Sequence, residues 1–185
     1  MAAGIAGDAE VFQFNFLDST RLALVTKVSL TSFSVFTTAF TAGIGHFSLQ
    51  AKRGITAVGS GGGAPTLTTN NAKLRTDHGT TLLSAGSTAG DIRVATTAAL
   101  TAATGTLDSA FLGRITVPLE ATTVNYSRIS QEVAFFDWRD NMYSPYICEG
   151  GDGLAILVTM PATGTWYASF RISWTEVNAA EWQDQ

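Results

Sequence analysis

The sequence predicts an all-β fold, a two-sheet antiparallel sandwich of jelly-roll type, in one domain over residues 1–185. Small residues dominate the chain, with 26 Thr, 26 Ala, 18 Gly and 14 Ser among 185 residues. Thr favours strands, whereas Gly and Ser favour turns. Apolar and polar residues alternate with a period of two near both ends of the chain, and the 3.6-residue spacing of a helical bundle is missing. Eight or more short strands separated by turns are typical of a sandwich.

The clearest strand lies close to the beginning of the sequence. Phe12, Phe14 and Phe16 alternate there with the polar residues Gln13 and Asn15. Successive side chains of a strand point to opposite faces of the sheet. The strand therefore places the three rings on one face and the two amides on the other.

Further strands are expected on either side of residue 40. The segment Arg21–Phe40 is rich in Val, Thr, Ser and Phe and is too long for one strand, so we predict two strands joined near Leu30–Ser32. His46–Ala51 alternates again and predicts another strand. Ahead of the first strand, Met1–Glu10 is rich in Ala and Gly and is expected to form a flexible N-terminal arm.

The character of the sequence changes between Gly54 and Thr106. Ala, Thr, Gly and Ser dominate this segment, and no aromatic residue occurs from Ser48 through Ala110. We predict a loop-rich excursion over 54–106 that does not supply the main core and lies on the surface or against a neighbouring subunit. A helical turn is expected at Asn70–Arg75. The glycine cluster Gly59–Gly63 is predicted to be a flexible loop tip.

Strand character returns in the last third of the chain. Leu112–Leu119 predicts a strand, in which Pro118 suits either a sheet edge or the end of the strand, because proline cannot donate a hydrogen bond to a neighbouring strand. Gly153–Met160 is a continuous apolar strand, and a turn at Pro161–Gly164 joins it to an alternating strand over Thr165–Val177. The residues on one face of that last strand are Trp166, Ala168, Phe170, Ile172 and Trp174.

Charge and cysteine content exclude several classes of protein. Eleven Lys and Arg stand against fifteen Asp and Glu, and no basic run occurs, so we expect no nucleic-acid partner. No basic segment followed by an apolar stretch opens the chain, and no window has the ~18 apolar residues of a membrane span. We therefore expect a soluble protein without a membrane partner or the usual export signal. Cys148 is the single cysteine, which excludes an intrachain disulfide and predicts an inert thiol.

Two motifs suggest chemistry, and neither is complete. The segment Glu149–Gly153 carries two carboxylates on a glycine turn that could contribute to a calcium site, but nothing nearby supplies other ligands, so a hairpin turn is favoured. Asp77 and His78 with Ser84 or Ser87 are the residue types of a hydrolase triad, but no G-x-S-x-G elbow is present. We predict no catalytic residue, no metal site and no cofactor.

An aromatic cluster offers a possible interaction surface. A tryptophan flanked by Asp137 and Asp140 could stack on a sugar ring while acids and a guanidinium bind its hydroxyls. A local salt bridge at the end of a strand is the favoured alternative, because aromatic residues also fill cores and anchor interfaces. The candidate interaction residues are Trp138, Arg139, Tyr143 and Tyr146.

Several segments resemble small virion proteins of tailed bacteriophages. They are Leu67–Thr76, Asp91–Thr101, Gly105–Asp108 and the ending from Glu149 through Trp166 to Val177, about a third of the chain. The resemblance implies a non-enzymatic, head-associated jelly-roll protein that decorates or cements a capsid as a homotrimer. Its partner would be the major capsid protein, and its location the capsid surface of a virion assembled in the host cytoplasm.

A jelly-roll carbohydrate-binding or receptor-binding module of a phage tail or fibre is the alternative function. Jelly rolls also carry lectin sites, so the fold alone does not separate the two. An open shelf formed by Trp138, Tyr143 and Tyr146 would favour glycan binding, whereas packed rings would not.

Overall fold

Ten strands and two short helices form the described part of the chain in a computed structural model, which describes residues 7–36, 42–67, 73, 79–121, 126–141, 144–161 and 164–183. The strands in chain order are β1 (Ala9–Phe16), β2 (Arg21–Phe36), β3 (Gly43–Arg53), β4 (Gly90–Val94), β5 (Thr106–Leu119), β6 (Tyr126–Ile129), β7 (Val133–Asp137), β8 (Tyr146–Cys148), β9 (Asp152–Thr159) and β10 (Thr165–Asn178). The helices are α1 (Trp138–Asn141) and α2 (Ala179–Gln183). Neither of these helices is long enough to cross a membrane, and none other is found among the described residues.

The strands form two antiparallel sheets that pack face to face. The first sheet has the order β4-β1-β9-β3-β5. In the second, β2 lies between β10 on one side and the three short strands β8, β7 and β6 on the other. The all-β, two-sheet antiparallel sandwich predicted from the sequence is confirmed. Pro118 is the next-to-last residue of β5, which is an edge strand, so both positions that the sequence allowed for this proline apply.

The prediction of two strands between residues 21 and 40 is wrong, because β2 is one continuous strand of 16 residues. Its register against β10 shifts at two points, where Thr26 and Thr31 are extra residues. The Thr26 hydroxyl donates to the Ser173 carbonyl at 3.2 Å, and the Thr31 hydroxyl donates to the Ser169 carbonyl at 3.0 Å. The predicted break therefore coincides with a β-bulge, through which the strand continues.

Aromatic side chains fill the space between the sheets. Phe33, Phe47 and Trp166 are fully buried, and the ring centroids of Phe47 lie 5.5 Å from Phe33 and 5.9 Å from Trp166. The ring of Phe14 meets that of Trp174 edge-on at 5.6 Å. Edge-to-face pairs of this kind add to the stabilisation from burial alone. The alternation in the sequences of β1, β3 and β10 thus predicted correctly that Phe14, Phe47 and Trp166 lie on the inner faces of the sheets.

The excursion over 54–106 does not supply the main core, but it adds to it. Leu83, Ile92, Ala95 and Leu100 are buried in the same cluster as the aromatic residues. These aliphatic side chains extend the core at the β4 edge. The helical turn predicted at Asn70–Arg75 lies outside the described residues, apart from position 73.

The glycine cluster is not a loop tip but a covering layer. Ser60 and Thr101 exchange backbone hydrogen bonds of 3.3 and 3.0 Å, and Gly63 and Val94 exchange bonds of 2.8 and 2.9 Å. A Cβ atom on Gly59 would lie 2.2 Å from the Thr101 carbonyl oxygen, so only glycine fits this close backbone approach. Gly59 therefore lies against Gln13 on the outer face of the first sheet, and Gly63 lies beside β4 at the edge of that sheet.

The predicted N-terminal arm also ends earlier than expected. Strand β1 begins at Ala9, and the side chain of Glu10 is buried. Residues 1–6 lie outside the described residues.

A single carboxylate ties the excursion to the second sheet. Glu176 on β10 accepts hydrogen bonds from the Thr81 hydroxyl and, at 3.3 Å, from the Leu82 backbone N–H. It also accepts from Trp174 Nε1 at 3.2 Å and pairs with Arg21 Nη1 at 3.3 Å. The segment around residues 81–82 is thereby held against the end of the sandwich.

We expect Gly59→Ala to lower the free energy of unfolding by about 1–3 kcal/mol, because the added methyl group overpacks a tight contact. Its Cβ would lie 2.2 Å from Thr101 O and 2.4 Å from Gln13 Oε1. Gly79→Ala is the matched control, since nothing lies within 4 Å of its Cβ position. Urea denaturation of the two variants measures the difference. Equal stabilities would contradict the covering role of this segment.

Candidate functional site

The aromatic cluster begins where β7 runs into α1. Trp138 is half-buried and packs against the core. The exposed Arg139 donates its backbone N–H to Asp137 Oδ1 at 3.1 Å and places Nε 3.8 Å from the same oxygen. Asp137 also lies 3.9 Å from Lys27 Nζ. The local salt bridge at the end of a strand, favoured from the sequence, is what the structure contains.

The described rings of the candidate cluster do not form an open shelf. Tyr146 is half-buried and packs against the core, as Trp138 does. Tyr143 lies outside the described residues. Sugar stacking needs an exposed ring face, so this arrangement does not favour the carbohydrate alternative. A shallow, mainly apolar depression adjoins Tyr146 and is lined by Leu112, Phe136, Ser144, Pro145, Tyr146 and Ile147.

The hydroxyl group of Tyr146 is an unusual feature of this region. It is buried and finds no hydrogen-bond partner among the described residues. Burial raises the pKa of Tyr146 to about 12. Cys148, Asp152 and Asp108 also act to raise this pKa, whereas the charge of Arg53 acts to lower it. Arg53 Nε lies 3.4 Å from Asp108 Oδ2, and Arg53 Nη1 lies 3.6 Å from Asp152 Oδ2.

The calcium candidate at Glu149–Gly153 is a turn. The Asp152 N–H donates to the Glu149 carbonyl at 2.9 Å, and Gly151 has a φ of 97°. The turn was expected to close a hairpin, which is wrong, because β8 belongs to the second sheet and β9 to the first. Asp152 pairs with Arg53, and no group of three metal-ligating side chains occurs in the described ranges.

The residues of the hydrolase candidate are not brought together in the described part of the chain. Asp77 and His78 lie outside it. Ser84 and Ser87 shape a local turn, in which the Ser87 N–H donates to the Ser84 carbonyl at 3.0 Å and the Ser87 hydroxyl donates to the Leu82 carbonyl at 3.1 Å. Cys148 is fully buried, and burial raises the pKa of its thiol, as expected of an inert cysteine.

A buried polar group on the outer face of the first sheet was not predicted. Lys52 Nζ donates to Glu10 Oε1 at 2.8 Å. Gln13 Nε2 donates to Glu10 Oε2 at 2.6 Å and to the Thr101 carbonyl at 3.1 Å. The exposed fractions of Lys52, Glu10 and Gln13 are only 2%, 6% and 0%. We call Glu10, Gln13 and Lys52 the buried triad.

Hydrogen bonds continue from the buried triad along β1. Asn15 Nδ2 lies 3.5 Å from Gln13 Oε1 and donates to Asp91 Oδ1 at 3.0 Å. Asp91, which is fully buried, pairs with Arg93 Nε at 2.5 Å. The outer face of β1 thus carries a connected row of polar side chains beneath the covering segment.

We expect Tyr146→Phe to raise the free energy of unfolding at neutral pH by about 1 kcal/mol, because it removes a buried hydroxyl without a partner. Folded wild-type Tyr146 keeps its proton up to a pH of about 12, whereas the unfolded chain loses it near 10. Between these values the unfolded state binds fewer protons, so wild-type stability falls as pH rises. Urea denaturation at pH 8 and pH 11 should therefore show the variant's advantage growing with pH.

Tyr167→Phe is the control for this comparison, because Tyr167 is 50% exposed and its hydroxyl meets that of Ser169 at 2.7 Å. Its stability should change by no more than about 0.5 kcal/mol. A Tyr146→Phe protein less stable than wild type at both pH values would show that the hydroxyl has a partner.

Comparison with known proteins finds no relative of this chain. No protein-family model matches the chain, and no curated protein or solved structure matches it either.

Proposed function

We propose that the chain is a non-enzymatic virion structural protein that binds the outside of a bacteriophage capsid as a decoration or cement protein and stabilises the shell. The observation that carries this proposal is a group of large apolar side chains exposed at one end of the sandwich. They are Phe36, Ile44 and Tyr167, with exposed fractions of 44%, 56% and 50%. We call them the apolar end.

Strand pairing brings these residues to the same end of the molecule. Phe36 is the last residue of β2 and pairs with Thr165, the first residue of β10, which lies two positions before Tyr167. Ile44 is the second residue of β3 and pairs with Pro118 near the end of β5. Phe36 and Tyr167 lie on the outer face of the second sheet, and Ile44 lies on the outer face of the first. Each sheet thus contributes exposed apolar side chains at this end, and side chains of this kind form the buried centres of interfaces.

The low charge of the chain supports a permanent contact. Only 14% of its residues are charged, against about 25% in an average protein. The centres of protein interfaces are depleted in charge, because each buried ion must be desolvated. A β-sandwich protein of this composition suits a shell surface, on which many copies bind side by side.

Binding to the assembled state alone is enough to stabilise a shell. A protein that binds the expanded capsid and not its free subunits shifts the equilibrium toward assembly, by about 2.7 kcal/mol per site at a hundred times its Kd. Repeated sites on one shell would add avidity if the protein binds as an oligomer.

We expect the purified chain to be a homotrimer with a mass near three times 19.5 kDa. Light scattering across a hundredfold dilution measures this mass. A monomer at every concentration would contradict the trimer and restrict oligomerisation to the shell itself.

We expect the double variant Phe36→Ser, Ile44→Ser to bind expanded capsids of the encoding phage at least about tenfold more weakly than wild type, since buried apolar anchors dominate interface energy. Co-sedimentation measures the affinity. Phe111→Ser is the matched control, because Phe111 is 50% exposed but lies under the Arg114 guanidinium on β5, away from the apolar end. Equal losses in both variants would contradict a specific role for the apolar end.

A glycan array tests the alternative function, which is carbohydrate binding. The carbohydrate alternative requires exposed rings, and Trp138 and Tyr146 are half-buried against the core. A specific glycan ligand, together with wild-type protein that does not sediment with capsids, would overturn the cement proposal.

A further inference from the structure

We propose that Lys52 and Gln13 become joined by an isopeptide bond between Nζ and Cδ, with Glu10 as the proton carrier. The bond would connect β3 to β1 across β9, which lies between them in the first sheet. The chain itself would supply every reacting group. This modification site does not depend on the function proposed above.

Glu10 lies between the two reacting groups. Its Oε1 accepts from Lys52 Nζ at 2.8 Å, and its Oε2 accepts from Gln13 Nε2 at 2.6 Å. The amine and the carboxamide are therefore held on the two oxygens of one carboxylate. A proton can move from the nucleophile to the leaving group through this single side chain.

An irregularity in the backbone of β1 brings the buried triad together. The pairing of β1 with β9 shifts register between Glu10 and Phe12. This bulge at Val11 turns Glu10 and Gln13 to the same face, although they are three residues apart. Lys52 pairs with Gly153 on β9, so no side chain there blocks the path of the lysine across that strand.

Two neighbouring groups orient the side-chain amide of Gln13. The side-chain N–H of Asn15 approaches Gln13 Oε1 at 3.5 Å, and Gln13 Nε2 is fixed by the Thr101 carbonyl at 3.1 Å. A donor at the carbonyl oxygen stabilises the negative charge that develops there during attack. The carboxamide is thus oriented on the oxygen side as well as on the nitrogen side.

The reacting groups are also buried, which keeps water away from them. The three side chains are at most 6% exposed, and the Gly59–Gly63 segment lies over Gln13. A buried Lys–Glu pair is often no more stabilising than well-packed apolar residues of the same volume. Holding the reactants together in a site that excludes water raises their effective concentration and protects the product from hydrolysis.

The step balances without any further reactant. Glu10 takes one proton from the Lys52 ammonium group, and the neutral Nζ attacks Cδ of Gln13. The Nζ–Cδ bond forms, Glu10 delivers its proton to Nε2, and the Cδ–Nε2 bond breaks. Nζ gives up a second proton, which the departing ammonia carries away as ammonium. One ammonium ion leaves, and a neutral secondary amide remains.

Mass spectrometry of the wild-type protein tests the proposal directly. We expect an intact mass lower than that of the unmodified chain by one molecule of ammonia. Trypsin should yield a branched peptide in which residues 1–21 are joined to residues 28–53, because it does not cleave after an acylated lysine. Separate peptides ending at Arg21 and Lys52 would overturn the proposal. A branched peptide that has lost water would also overturn it, because the bond would then be to a carboxyl group.

Two variants separate the roles of the reacting groups. Glu10→Gln keeps the size of the side chain but removes the proton carrier, so the branched peptide should be lost. Lys27→Arg is the control and should retain it, because Lys27 pairs with Glu132 at 3.0 Å on the second sheet. A branched peptide that persists in Glu10→Gln would overturn the role of Glu10. The wild-type measurement stands even if a variant fails to fold.

Discussion

The structure depends on burying both faces of strand β1. Its inner face packs against the second sheet through Phe14, and on its outer face Gln13 lies beneath Gly59. A strand covered on both sides must satisfy every polar side chain that it carries. This requirement explains why the polar residues of β1 form a connected row and why glycine stands where the covering backbone approaches most closely.

The sandwich itself could be predicted because its inner faces follow simple alternation. Phe12, Phe14 and Phe16 on β1 and Trp166 on β10 point inward as expected. The division of β2 could not be predicted, since a β-bulge and a turn have the same local signature in sequence. Thr31 lies at the irregularity, where its hydroxyl group donates to the Ser169 carbonyl within a strand that continues.

The buried triad escaped prediction for a physical reason. Glu10 and Gln13 are separated by an odd number of positions, so a regular strand would place them on opposite faces. The bulge at Val11 aligns them, and the distant residues Gly59 and Thr101 lie against Gln13. The aromatic candidates show the opposite case. Trp138 and Tyr146 are residue types that often form sugar-binding surfaces, but here they pack against the core. Neither outcome is visible in local sequence.

The length of β2 has a consequence for the order in which the chain folds. Phe36 at its end pairs with Thr165, 129 positions later, and all the other strands of the second sheet also hydrogen bond to β2. Contacts this distant in sequence form slowly, because the intervening loop must first be closed. During synthesis β2 therefore keeps an unpaired edge until β10 has left the ribosome, which makes folding of the second sheet a late event.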